Sequence, residues 1–150
     1  MLRLSKKADY ALMAMKHLAV HRDRGSASAR EIAGSYGIPI ELLAKVLQRL
    51  VRRGLLVSQH GTHGGYRLAR APVQISIADV IQAIDGPVAV TACSVHEAQC
   101  EQFSKCNVRD PLWKVRERIL AALGETTIAE IASESPAPAA PRAAVLHTHL

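Results

Sequence analysis

Three cysteines are the residues of this chain best able to do chemistry. Cys93, Cys100 and Cys106 are separated by six and then five residues, and the sequence contains no other cysteine. The first residues lack the apolar run of an export signal. Closely spaced thiols in such a chain indicate a bound metal or cluster more than a disulfide framework.

The charge of the chain is divided unevenly between its two halves. Residues 1–70 contain 13 Lys and Arg against 4 Asp and Glu, a net of +9, whereas residues 71–150 contain 6 against 9, a net of −3. This asymmetry is typical of a DNA-contacting module joined to an assembly or sensing module.

The sequence gives little support for assigning this chain to membrane proteins or to enzymes. No stretch approaches 18 uninterrupted apolar residues, so we expect no membrane span and a cytoplasmic location. There is no glycine-rich phosphate loop after a strand, no paired-carboxylate signature and no Gly-x-Ser-x-Gly nucleophile motif. We therefore do not expect an enzyme.

Capping signals predict three helices in the first part of the chain. The first begins at Ser5 and ends near residue 20. A short second helix is capped by Ser28 and ended by Gly37, and a third runs from Pro39 to about Arg53.

The third predicted helix has one apolar and one polar face. Apolar residues recur at helical spacing at Leu43, Val46, Leu47, Leu50 and Val51. The other face carries Glu41, Lys45, Gln48, Arg49 and Arg52. Two short helices joined by a tight turn, the second presenting cations and an amide, are the helix-turn-helix plan. We therefore predict that these five polar residues, with Ser28 at the start of the second helix, contact DNA.

A basic hairpin follows the third helix. Residues 55–59 and 66–70 are predicted strands, and the turn between them contains three glycines. His60, His63 and Arg67 decorate this hairpin, which has the character of a wing that contacts phosphates. Exposed turn residues without a special role remain an alternative for the two histidines.

The second half predicts a helix, a loop and a further long helix. Ser76 caps the first helix, and Asp110 and Pro111 start the long one, which Gly124 stops. The long helix has little of its own domain to pack against, so we expect it to pair with a second copy. Thr127 is predicted to cap one more helical turn.

The expected fold is mainly α with a small β-hairpin wing: a winged helix-turn-helix plus a long C-terminal dimerisation helix. The predicted units are a DNA-binding domain, a cysteine loop, a dimerisation region and a disordered tail. Their bounds are 1–87, 88–109, 110–132 and 133–150.

The chain resembles the winged-helix regulators typified by IscR and NsrR, the Rrf2 superfamily. The resemblance covers about residues 2–132 and includes the three cysteines. Its other motifs are the stretches 4–12, 38–50, 54–56, 61–68, 77–81 and 84–86.

The resemblance implies a homodimer that binds a palindromic operator and carries one iron–sulfur cluster per subunit, of two or four irons. The state of the cluster would change promoter binding, and members regulate iron–sulfur assembly or nitric-oxide and redox defence genes. The three cysteines would be ligands.

Three cysteines leave one ligand position to fill. In IscR-like members a histidine lies three residues after the last cysteine, where this chain has Arg109. In NsrR-like members an aspartate of the partner subunit completes the site, and Asp9 occupies that motif position here. His96, inside the loop, is the weaker alternative.

Two other interpretations of the cysteines stay open. They form a structural zinc site together with His96, or they need no cofactor and the protein responds to thiol oxidation or to a partner that binds the loop.

Overall fold

The computed structural model describes residues 3–62, 64–91 and 100–134. In these ranges the chain forms six α-helices and one β-hairpin. In chain order they are α1 (Lys6–Val20), α2 (Ala29–Tyr36), α3 (Ile40–Arg52), β1 (Leu56–Gln59), β2 (Gly65–Leu68), α4 (Ile77–Asp85), α5 (Arg109–Glu125) and α6 (Ile128–Ser133). The predicted order of elements is confirmed.

The predicted caps form at four helix starts. The hydroxyl groups of Ser5, Ser28, Ser76 and Thr127 each accept a hydrogen bond from the backbone amide three residues later. Each such bond satisfies an otherwise unpaired helical N–H and contributes about 1 kcal/mol. The helix boundaries in this part of the chain are therefore set by local chemistry.

The hydrophobic core lies where α1, α3 and α4 meet. The residues that are at most 2% exposed and have the largest side chains are Met15, Ile32, Leu43, Leu47, Leu50, Ile75, Ile81, Ile128 and Val80. Burial of each such side chain contributes about 1.5–3 kcal/mol. Because α3 buries one face here, its opposite face is held at the surface.

The hairpin is docked against the segment before α2. β1 and β2 pair antiparallel, with Leu56 opposite Leu68. On its other side Tyr66 exchanges two backbone hydrogen bonds with Ala27, at 3.0 and 2.8 Å. Gly65 has a φ of +150°, and a Cβ placed there would lie 2.5 Å from the carbonyl oxygen of Ala27. Only glycine permits this approach.

Gly65→Ala is therefore expected to lower the free energy of unfolding by about 1–3 kcal/mol, because it combines a backbone clash with a strained φ. Urea denaturation measures the effect. Gly124→Ala is the matched control: it adds a methyl group where nothing beyond the backbone of its own helix lies within 4 Å, and alanine favours a helix interior by about 0.5–1 kcal/mol over glycine. Equal midpoints for the two variants would contradict the close approach.

Both predicted ends of α5 are wrong. The helix begins at Arg109 with Val108 in the cap position, so Asp110 lies inside the first turn and pairs with Arg109 instead of capping. Gly124 lies inside the helix, which continues to Glu125. Arg109, the first residue of the helix, makes the contacts described below.

No helix among the described ranges has the length and apolar character needed to cross a membrane. Ser133, predicted to be the first residue of the disordered tail, is instead the last residue of α6. Beyond Glu134 the predicted tail lies outside the described residues.

Candidate DNA-binding face and cysteine loop

Four of the predicted DNA contacts form one exposed stripe on α3. Glu41, Lys45, Gln48 and Arg52 are all exposed, and at 100° per residue they fall within about 60° of one another around the helix axis. The stripe lies opposite the buried side chains of α3, so a groove of DNA could meet all four at once.

The stripe is connected to the wing through Gln48. Its side-chain amide donates a 2.7 Å hydrogen bond to the hydroxyl of Tyr66 on β2. This bond fixes the wing relative to the exposed face of α3. Tyr66 was not among the residues predicted from the sequence, because its hydroxyl is brought to Gln48 only by the docking of the hairpin.

Arg49, also predicted to contact DNA, makes a different contact. Its Nε donates to the carbonyl oxygen of Ala83 at 2.9 Å. Ala83 lies in the last turn of α4, where carbonyl groups lack helical partners and a nearby cation is favourable. Arg49 therefore joins α3 to α4.

Arg49→Ala is expected to lower the free energy of unfolding by about 1 kcal/mol, because the Ala83 carbonyl loses its donor. Lys45→Ala removes the same charge from the exposed stripe and is expected to change stability by less than about 0.5 kcal/mol. Urea midpoints of the two variants test this difference; identical midpoints would show that the contact with α4 is unimportant.

The remaining predicted DNA contacts surround the start of α2 and the wing. Ser28 lines a polar depression of about 530 Å³ together with Arg24, Gln59 and Thr62. His60 and Arg67 are exposed. Arg24 was not predicted from the sequence, although a cation shortly before α2 was an available signal. His63 lies outside the described residues.

Two of the three cysteines belong to the described part of the chain. Cys100 and Cys106 are free thiols, both half-buried, on either side of a 3₁₀ turn at Phe103–Lys105. Cys93 and His96 lie outside the described residues. Among the described residues no group of three potential metal ligands is gathered. The donor chemistry of the two free thiols fits a metal or cluster.

Arg109 secures the end of this loop to α5. Its guanidinium donates to the carbonyl oxygen of Phe103 at 3.0 Å and lies 4.7 Å from the Phe103 ring and 5.7 Å from the Trp113 ring. A hydrogen bond from Arg109 to Asp110, followed by the attraction between their charges, lowers the pKa of that carboxyl group. The position where IscR-like members have a histidine is thus a structural anchor.

The start of the loop is anchored as well. The backbone amide and the hydroxyl of Ser5 donate to the carboxylate of Asp85, which joins the N-terminus of α1 to the end of α4. Arg116 of α5 donates to the carbonyl oxygen of Val88 at 3.1 Å. Both ends of the cysteine segment are therefore tied to α5.

Asp9, the predicted ligand from a partner subunit, lies in the first turn of α1 and is half-buried. Ser5, the cap residue before this turn, makes the bond to Asp85 at the end of α4. Asp9 follows Ser5 by four residues along the chain.

The long helix α5 has no fully buried residue. In the predicted apolar seam, Leu112, Ile119 and Leu123 are half-buried, whereas Val115 and Ala122 are exposed. Val115 is 43% exposed. One edge of the seam thus remains open to solvent in the single chain.

A three-helix core, an exposed polar stripe on the third helix and a docked hairpin define a winged-helix DNA-binding regulator. The model of the Rrf2 family, described as iron-dependent transcriptional regulators, matches residues 4–134. The chain belongs to this family. It is a transcription regulator of the IscR-like type, and its relatives are named as regulators and not as enzymes.

Two curated relatives illustrate the similarity. The chain is 34% identical over 131 residues to the HTH-type transcriptional regulator IscR of Xenorhabdus nematophila, covering 87% of this chain and 79% of the relative. It is 34% identical over 132 residues to the putative HTH-type transcriptional regulator Rv1287 of Mycobacterium tuberculosis, covering 87% and 81%.

Solved structures confirm the fold. The chain is similar to CymR, the global cysteine regulator of B. subtilis, with a TM-score of 0.73, 29% identity and coverage of 90% and 99%. It is similar to T. potens IscR, with a TM-score of 0.68, 30% identity and coverage of 87% and 85%. The oxidised form of Staphylococcus aureus CymR has a TM-score of 0.71, 25% identity and coverage of 91% and 100%.

Proposed function

We propose that this protein is a homodimeric, cytoplasmic transcription regulator whose affinity for a palindromic operator depends on an iron–sulfur cluster held by Cys93, Cys100 and Cys106. It senses cluster status, redox state or nitric oxide and controls iron–sulfur assembly or stress genes. The observation that carries the proposal is the pair of free, half-buried thiols in a loop anchored at both ends to α5.

DNA recognition is assigned to the stripe on α3 and to the wing. Lys45, Gln48 and Arg52 reach base edges or phosphates in the major groove, and Glu41 contributes at the start of the helix. His60, His63, Arg67 and Ser28 contact the backbone, where they fix register and supply affinity. Arg49 is also proposed to contact DNA, through the guanidinium nitrogens that do not donate to Ala83.

The cysteines supply the thiolate ligands that iron–sulfur clusters require. Asp9 of the partner subunit is proposed as the fourth ligand, with His96 as the weaker candidate. A bound cluster supplies a centre whose oxidation, nitrosylation or loss reports the redox state of its surroundings.

The contacts described above connect the cysteine loop to the proposed DNA-binding helix α3. Arg116 and Arg109 tie the two ends of the cysteine segment to α5. The last turn of α4, which leads into the segment, is bonded to α3 by Arg49 and to α1 through Ser5. Ordering of the segment therefore biases the position of the recognition helix, which links cluster occupancy to operator affinity.

Dimerisation is assigned to α5. Its exposed residues Val115 and Ala122 form an apolar strip that a second copy of the helix would cover. A symmetric dimer of winged helices matches a palindromic operator, because each half-site then meets an identical recognition helix.

Anaerobic purification tests the cofactor assignment. The proposal predicts a coloured protein with visible absorption, iron and acid-labile sulfide in near-equal amounts. A colourless protein with one zinc per subunit would replace the cluster with a structural zinc site. A colourless, metal-free protein would show that the cysteines bind neither a cluster nor zinc.

A cofactor-free thiol switch is the second candidate function. It is favoured by the two free thiols and by the similarity to the structure of an oxidised CymR. This candidate predicts that peroxide changes DNA affinity in metal-free protein and that serine substitution of the cysteines removes the response.

A further inference from the structure

A histidine pair at the end of α1 lies outside both the DNA-binding face and the cysteine loop. His17 is only 5% exposed, and its ring centroid lies 4.5 Å from that of His21, the C-cap residue one turn further on. Residues four apart project from the same helix face. Histidines at this spacing on one helix can bind zinc together.

Tyr36 of α2 fixes the orientation of the His17 ring. Nδ1 of His17 and the hydroxyl oxygen of Tyr36 are hydrogen-bonded at 2.8 Å, and the two rings meet edge to face. A hydrogen bond to one imidazole nitrogen sets the tautomer and holds the ring in place. Metal-binding histidines are typically held in this way.

The other nitrogen of the same ring is unused. Within the described part of the chain, Nε2 of His17 is shielded from solvent and has no hydrogen-bond partner. Buried polar atoms in proteins nearly always have a partner. Nε2 therefore lacks the partner that a bound ligand would supply.

The two histidines border a cavity of about 490 Å³ between α1, Tyr36 and the end of α6. Apolar side chains, among them Met13 and Val20, form much of its wall. On the same rim, the ammonium group of Lys16 donates to the carbonyl oxygen of Glu134 at 3.2 Å. This hydrogen bond ties the cation to the backbone. The cavity has room for a hydrated ion beside the histidine pair.

Burial, followed by the charge of neighbouring His21, lowers the pKa of His17. This shift favours the neutral imidazole, which is the form that binds metals.

We propose that His17 and His21 form a binding site for a divalent transition-metal ion of the zinc, nickel or copper class. In the tautomer that binds the metal, Nδ1–H of His17 donates to the hydroxyl oxygen of Tyr36. This orients the ring and leaves Nε2 as one ligand, and an imidazole nitrogen of His21 is the second. Imidazole ligands suit these metals. Water completes the coordination, since no group of three potential ligands is gathered among the described residues. The site is independent of the function proposed above.

Zinc titration of the untagged full-length chain tests this site. The three cysteines are replaced by serine so that thiolates do not compete, and binding is followed by calorimetry and by the rise in melting temperature. We expect one zinc per subunit. His21→Ala is expected to weaken binding at least tenfold, and Tyr36→Phe by about tenfold or more through loss of the orienting bond. Wild-type protein with its thiols blocked by iodoacetamide serves as a second sample that carries no serine substitutions.

Two control variants separate this site from other histidines. His60→Ala removes an exposed histidine of the wing, and the double change His147→Ala and His149→Ala removes the histidines near the end of the sequence. Both controls are expected to bind zinc as the parent does, with the ¹⁵N resonances of the His17 ring shifting on zinc addition. Binding that survives His21→Ala but is lost in the tail variant would overturn the proposal. So would the absence of any binding at millimolar zinc.

Discussion

Replacing Cys100 with serine is expected to reduce the iron content of anaerobically purified protein to less than about a tenth of the wild-type value. Serine keeps the size of the side chain but removes the thiolate that a cluster requires. Cys100 is a free, half-buried thiol beside a turn and not part of the hydrophobic core. The fold should therefore survive. Iron and sulfide analysis measures the loss, and far-ultraviolet circular dichroism checks the fold.

Ser104→Ala is the matched control for this substitution. Ser104 is exposed and lies in the 3₁₀ turn between the two described cysteines, so the change alters the same loop without touching a ligand. The control should retain wild-type iron. A Cys100→Ser protein with full iron would contradict the assignment of Cys100 as a ligand.

The second large effect is expected at the exposed stripe of α3. The double variant Lys45→Ala, Arg52→Ala should weaken binding to a duplex selected by the wild-type protein by at least tenfold at physiological salt. Base-edge contacts contribute about 1–3 kcal/mol each, and about 1.4 kcal/mol corresponds to tenfold. Lost phosphate contacts should also make affinity less dependent on salt. Fluorescence anisotropy at several salt concentrations measures both quantities.

Lys114→Ala removes a charge of the same sign from an exposed position on α5. It leaves the stripe intact and should change affinity less than about threefold, as expected for loss of a distant, screened charge. If the double variant and this control bind alike, α3 is not the recognition helix. Iron content should be unchanged in both, which separates DNA contacts from cluster binding.

Elements specified by local chemistry were predictable from the sequence. The caps at Ser5, Ser28, Ser76 and Thr127 depend on a side chain and an amide three residues later, and all four form. The turn at Gly37 was also predictable, because its φ of +63° favours glycine. The alternation of faces on α3 followed from spacing alone.

Contacts between distant segments were not predictable. The bond from Arg49 to Ala83 joins residues 34 positions apart, and the bond from Gln48 to Tyr66 joins residues 18 apart. Spacing placed Arg49 on the exposed face but did not reveal that α4 passes beside it. The start of α5 was predicted two residues too late, with Asp110 as the cap. In the structure Val108 holds the cap position, and Arg109 contacts Phe103 and Trp113.

The same distinction between local and distant contacts applies to the candidate functional residues. Lys45, Gln48 and Arg52 were predictable as a stripe because one helix carries them all. A buried histidine on α1 was not expected, since His17 depends on Tyr36 of another helix for its partner. The ligand set proposed for the cluster, such as Cys100 with Asp9 of the partner subunit, joins separate segments, so no local spacing in the sequence specifies it.

The most direct test of the account is the DNA affinity of a single anaerobic preparation, measured before and after removal of its cluster. The same selected duplex is titrated with both forms, and a variant with all three cysteines replaced by serine serves as the reference for the cluster-free state. We expect the affinities of the loaded and cluster-free forms to differ by at least about fivefold, because the cluster and the DNA occupy linked sites. The variant should match the cluster-free form. Equal affinities of the loaded and cluster-free forms would contradict the proposed linkage.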